Sequence, residues 1–181
     1  MSGKGKLRLA AVIEQQRNRA RESSVKVSRE RKESRKAAAL SLASSFGPYL
    51  TTLTEKRAVL GALYLAEGTK GDRSGLTFGN SDPEIVRLFL SLLRECFVLD
   101  EAKFRCTLQA RAGQDIAVLE DFWCRVTGIP MSKFYGARID QRSGGKLTRK
   151  PDYKGVCRID YLSTALLYEV LAIGRILTKG P

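Results

Sequence analysis

The 181-residue chain contains no histidine. That absence excludes Ser-His-Asp and Cys-His nucleophile pairs, His-ligated zinc sites and nucleases that use a histidine base. No run of 18 or more apolar residues occurs, so no transmembrane helix is expected. The N-terminus has no apolar segment behind its basic residues, as a secretory signal would. Cysteine is scarce: Cys96, Cys106, Cys124 and Cys157 are 10, 18 and 33 positions apart. None forms the C-x2-C pair that structural zinc favours, and each has apolar neighbours. They read as small core residues of a protein in a reducing compartment, with a cytoplasmic location expected and the nucleoid or an organelle as alternatives. Aromatic residues are missing from residues 1–45, and all 14 lie from Phe46 onward.

Basic residues are abundant. Lys and Arg number 32 against 19 Asp and Glu, a net charge of +13. With a 43% hydrophobic share the chain can still build a core. A basic protein with a core points to a polyanionic partner, nucleic acid first, rather than a membrane or a small-molecule substrate. Residues 1–45 hold 12 of the basic residues and 4 Glu. This segment reads as a basic arm, helical over Leu7 to Lys36 or partly disordered, that tracks phosphates or docks on a second copy. Its four glutamates argue against a transit peptide.

Residues 46–181 carry the pattern of one mixed α/β domain. Thr52 and Glu55 form a capping box, with Thr54 as a competing cap, and a helix runs to Glu67 and stops at Gly68. Leu76–Asn80 reads as a strand. Asp82 caps a helix with Pro83 in its first turn and Ile85, Leu88, Phe89, Leu92 and Leu93 at helical spacing. Lys103–Arg111 alternates, with Phe104, Cys106, Leu108 and Ala110 inward and Arg105, Thr107, Gln109 and Arg111 outward. A third helix spans Asp115–Thr127. Strands around 136–142 and 155–162 repeat Arg-Ile-Asp, as Arg138-Ile139-Asp140 and Arg158-Ile159-Asp160, with Arg outward. A last helix covers about 163–177.

Outward Arg and Gln suit base edges, since Arg pairs bidentately with guanine and Gln with adenine. The candidate DNA-binding residues on or beside the strands are Arg73, Thr77, Asn80, Arg105, Thr107, Gln109, Arg111, Arg138 and Arg142. Lys146, Arg149, Lys150 and Lys154, in the Gly- and Lys-rich loop, would meet phosphates. The helix over 59–68 is apolar nearly all round, so it is expected to be buried on more than one side. Gly61, Ala62 and Ala66 give it a small stripe that permits close helix contact. Glu67 opposes the macrodipole at the C-terminal end by about 0.3–1 kcal/mol, so another role is expected for it. A divalent cation answers that charge, above all where a two-fold axis brings two copies together. Two nuclease-like or phosphate-binding patterns have simpler readings: in the set Asp82 with Glu101-Ala-Lys103, Asp82 is part of a helix cap, and Gly68–Gly75, which lacks P-loop spacing, is a turn.

Leu60-Gly-Ala-Leu-Tyr-Leu-Ala-Glu-Gly68 resembles the LAGLIDADG motif of homing endonucleases. Leu60, Leu63, Ala66 and Gly68 match, and Glu67 replaces the last Asp. Leu76-Thr-Phe, then Asn80-Ser-Asp-Pro and an amphipathic helix, extend the likeness over roughly residues 54–177. The resemblance implies an α/β (α+β) module, a curved antiparallel sheet of about four strands with helices on one face. It implies a homodimer joined at Gly61, Ala62, Leu65 and Ala66, and a sheet lying in the major groove of double-stranded DNA. It makes Glu67 the ligand of Mg²⁺ (or Mn²⁺), and Glu67 with Arg158 the catalytic residues of a sequence-specific endonuclease. Three features depart from the pattern: the extra helix at 115–127, the basic arm, and the short 69–74 segment where a long hairpin strand is usual. Related modules regulate transcription without cutting DNA, and some aid RNA splicing, so these remain the alternatives.

DNA affinity is expected to fall steeply with salt. Removal of residues 1–45 should lower the slope of log Kd against log salt and leave sequence preference largely intact, because phosphate contacts position without specifying. Titration of duplexes at several salt concentrations checks this; loss of preference in the truncated chain would make the arm a reader of sequence.

Overall fold

The structure is a computed structural model, and it describes residues 3–45, 50–71, 75–140 and 152–179, with side chains from residue 13 onward. The chain divides into two compact units, Met1–Tyr49 and Leu50–Pro181. The first is one helix, α1 (Gly3–Ser45), whose described side chains are all exposed. It is longer than the sequence indicates, because Ala37–Ala39 and Leu40 extend the strong helix formers past Lys36.

The second unit runs α2 (Leu53–Glu67), β1 (Gly68–Thr69), β2 (Leu76–Asn80), α3 (Pro83–Cys96), β3 (Phe104–Arg111), α4 (Ile116–Thr127), β4 (Phe134–Asp140), β5 (Val156–Tyr161) and α5 (Thr164–Lys179). The helix starts follow local chemistry. Thr52 and Glu55 make the reciprocal capping box at α2, and the Asp82 and Asp115 carboxylates accept from the backbone N–H groups of Glu84 and Val118. Glu55 accepts from the N–H groups of Thr52 and Thr51, which holds its carboxyl below the usual range. Gly128, left-handed at φ 68°, ends α4. Gly68 ends α2 differently. It is extended rather than left-handed, and the Tyr64 ring lies 2.4 Å from where its Cβ would stand. The helix therefore passes directly into β1.

The sheet order is β1-β2-β5-β3-β4. This corrects the expected sheet of about four antiparallel strands: the described residues form five, and β4 pairs parallel with β3. A parallel neighbour needs a crossover, and α4 supplies it. Alternation within a strand carries no information about the direction of its neighbour. Inward positions of the three central strands meet helices α2 to α5 in one core, with Leu76, Phe78, Phe104, Cys106, Leu108, Cys157 and Ile159 all buried. Phe78 and Phe89 stack at 3.9 Å between centroids. On α3 the buried set is Val86, Phe89, Leu90, Leu92, Leu93 and Cys96, while Leu88 faces solvent. Ile139, inward in phase, remains exposed because β4 is an edge strand.

All four cysteines are free, and three are buried. Cys106 and Cys157 approach to 3.9 Å between sulfurs. That contact, with burial, pushes the Cys157 thiol far above its usual range. It stays protonated and inert, as a core residue should.

Helices α2 and α5 cross at two glycines. A Cβ on Gly61 would stand 2.7 Å from the Gly174 nitrogen, and one on Gly174 would stand 2.6 Å from Leu65 Cγ. The packing reason for Gly61 therefore lies within the chain. Gly61→Leu should lower stability by roughly 1–3 kcal/mol or prevent folding, through overpacking. Denaturant titration of Gly61→Ala and Gly61→Leu checks this, and an unchanged midpoint in both would remove the close crossing from the account.

Candidate nucleic-acid interface

Period-two alternation puts one row of side chains from each strand on the face away from the helices. The registers align these rows. Thr69, Thr77, Asp160 and Arg105 form one line; Gly79, Arg158, Thr107 and Tyr135 form the next. Val156, Gln109 and Arg138 follow, and Arg111 stands opposite Asp140. Among the described residues, four arginines thus share the open face with two aspartates.

The sequence identifies most of this face correctly as outward, and the structure adds how each group is held. Arg158 donates from Nε and Nη2 to Asp160 Oδ1 at 3.0 and 2.7 Å. The Thr77 hydroxyl donates to the same oxygen at 2.6 Å. Thr77, Thr107 and Asp160 are buried despite facing outward. Arg105 turns back to the carbonyls of Ala102 and Phe104, and Arg111 lies 4.7 Å from the Tyr153 ring. Gln109 and Arg138 are exposed side by side.

Other candidates stand elsewhere. Asn80 pairs with inward Cys157, so it is in phase with the helix side, and its carbonyl oxygen accepts from Asp82 N–H at the start of α3. The Lys154 ammonium lies 5.7 Å from the Phe122 ring on α4, while its backbone carbonyl accepts from Trp123 Nε1. Arg73, Arg142, Lys146, Arg149 and Lys150 lie outside the described residues. Asp82 is the helix cap that its position suggests, and Glu101 pairs with Arg94.

Of the four motif-helix residues, Gly61 and Leu65 pack on Gly174 in the same chain, whereas Ala62 and Ala66 are exposed. Glu67 is exposed at the C-terminal end of α2. It immediately precedes Gly68, whose partner is Phe78, and Gly79 follows Phe78, so Glu67 and Gly79 leave the β1–β2 ladder at the same end. The motif helix and the open face therefore meet beside the Arg158 row.

Sequence reasoning passed over Asp160, Tyr135 and Gly79. Asp160 was legible in part: at i+2 from Arg158 it must share a strand face with it. Tyr135 and Gly79 enter the row only through pairing with distant strands.

Tyr64 anchors this corner. Its hydroxyl donates to the Thr69 carbonyl at 2.7 Å and accepts from Thr77 N–H at 3.3 Å. Burial holds the hydroxyl above the usual tyrosine range; the Thr77 N–H opposes that shift and the Asp160 charge adds to it.

Among the described residues, no three Asp, Glu or Cys side chains gather as a metal-binding group. No protein-family model, curated protein or solved structure matches the chain.

Tyr64→Phe should cost about 1–3 kcal/mol, because it leaves a buried donor and a carbonyl without their partner. A fall in the denaturant midpoint with faster amide exchange at Thr77 checks this. Unchanged exchange there would show that β1 is held by other contacts.

Proposed function

We propose that the chain binds double-stranded DNA with the open face of its sheet and, as a homodimer, cleaves it with Mg²⁺ or Mn²⁺. The observation that carries the binding reading is the four-arginine face. Arg105, Arg111, Arg138 and Arg158 share one surface with exposed Gln109 and Tyr135. One of the two aspartates on that face, Asp160, is already engaged by Arg158 and Thr77. Such a surface offers donors to phosphates and base edges, and its cations give the salt-dependent part of affinity.

Cleavage rests on the LAGLIDADG resemblance and on Glu67. This carboxylate is exposed beside the open face, where a hard cation would find an oxygen ligand. One carboxylate per chain fits Mg²⁺ only as part of a shared site, completed by DNA phosphate oxygens and a second copy's carboxylate. When bound, the metal would polarise the phosphodiester and make water a stronger nucleophile. Arg158 would hold a phosphate or base at the neighbouring row. Ala62 and Ala66 form the exposed stripe through which two motif helices would meet. Gly61 and Leu65 would act behind it, by setting α2 against α5.

The competing reading is a non-catalytic regulator on the same face. Its support is that, among the described residues, each chain offers one unengaged carboxylate, Glu67, at this corner. Glu67→Gln separates the two, because an amide is a poor Mg²⁺ ligand of nearly the same shape. Cleavage by the wild type in Mg²⁺ or Mn²⁺ should be abolished in Glu67→Gln, with DNA affinity equal or slightly higher. Nicking and double-strand cleavage of a randomised duplex library provide the measurement. Selective binding without cutting by the wild type assigns the regulator, and equal cutting by both proteins takes Glu67 out of the site.

A further inference from the structure

Among the described residues, Arg158 is held at its inner edge by Asp160 and has no bonding partner at its outer one. The Asp160 side chain is 8% exposed and that of Arg158 31%, so a buried carboxylate holds a guanidinium that reaches solvent. A guanidinium carries five N–H donors. Those on Nε and one on Nη2 go to Asp160. The remaining three lie on Nη1 and the far side of Nη2, and that edge presents two parallel donors. It matches a planar pair of acceptors: O6 and N7 of guanine, or two oxygens of a phosphate.

Gly79, directly across the β2–β5 register from Arg158, is a second and independent observation. Glycine inside a strand weakens it, and one that nothing in the fold requires marks a place where something else comes close. Among the described residues nothing requires it. Its φ is not positive, and a Cβ there would meet its nearest neighbour, the Cys157 carbonyl oxygen, at an ordinary 3.8 Å. Gly61 and Gly68 differ, since a Cβ on either would collide. What the bare Gly79 leaves is a notch on the open face beside the free edge of Arg158.

We propose that Gly79 and Arg158 form a recognition notch for a two-acceptor group of duplex DNA, with Asp160, held by Thr77, as the positioning residue that aims the guanidinium. The inference rests on the DNA-binding reading of the open face. Preorganisation is the benefit: the side chain's freedom is already lost before the ligand arrives.

The test uses the full chain, a duplex that the wild type selects from a randomised library, and the variants Gly79→Val, Asp160→Asn and Arg158→Lys. Thermal midpoints are recorded beside equilibrium affinities. Gly79→Val should keep or raise the midpoint, because valine favours strands, yet weaken binding by about tenfold or more. Asp160→Asn and Arg158→Lys should weaken binding to a similar extent. Replacing each guanine in turn by 7-deazaguanine, which lacks the N7 acceptor, identifies the source of the acceptors. One position at which the wild type loses affinity and Gly79→Val loses little more assigns a guanine edge. A uniform loss across all sequences in Gly79→Val assigns a phosphate. A folded Gly79→Val that binds like the wild type overturns the notch alone. A wild type that binds no duplex even at low salt overturns the notch together with the DNA-binding reading.

Discussion

The close crossing of α2 on α5 is the constraint from which the rest of the domain follows. With glycine at both contact points, the two backbones approach within a distance that any side chain would prevent. That approach sets the depth at which Leu60 and Tyr64 enter the core, and both are fully buried. Tyr64 then reaches Thr69 and Thr77 with its hydroxyl, and so ties the end of the helix to the first two strands. Glu67 is placed by this chain of contacts. It stands at a helix end where it is electrostatically unfavourable but accessible, beside the open face of the sheet.

The open face has its own internal order. A carboxylate in the middle of a sheet is costly unless its oxygens are hydrogen-bonded. Asp160 meets that demand at Oδ1, which accepts from one hydroxyl and two guanidinium N–H groups. The same bonds restrain Arg158, so satisfaction of a buried acid and presentation of a surface cation are one arrangement. At the opposite end of the face, Gln109 and Arg138 have no comparable restraint among the described contacts and can adapt to what they meet. The face therefore combines a hydrogen-bonded centre with an exposed margin at Gln109 and Arg138. That combination suits a surface that must both find and discriminate its partner, as the DNA-binding proposal requires.

Much of the domain could be read from local sequence because its signals are local. Thr52 with Glu55, Asp82 with Pro83, and Asp115 all act within one helical turn, and each cap is found where its chemistry predicts. Alternation in Phe104–Arg111 requires only the two-residue period of a strand, and its inward and outward sets are those observed. Gly68 shows the limit. A glycine after a helix has two uses, a left-handed cap or space for a neighbour, and Tyr64 selects the second. The α3 stripe shows a smaller one: with apolar residues at nearly every turn position, the phase of burial depends on what the helix packs against. Here Val86 and Leu90 are inside and Leu88 is not.

Although the arm helix runs nine residues past Lys36, local sequence was enough for the basic character of the arm, the boundaries of the domain's helices to within a few residues, the strand faces and the candidate carboxylate at Glu67. These are properties of composition and of spacing over fewer than about ten residues, where the backbone period alone decides which groups are neighbours. The partner of Gly61, the parallel placement of β4, the anchoring of Arg158 by an Asp160 that Thr77 holds, and the absence of a side chain beside it at Gly79 come from long-range packing. Each depends on which strand or helix lies alongside, and that is settled by packing between segments up to 113 positions apart, as Gly61 and Gly174 are. A local period cannot carry that information.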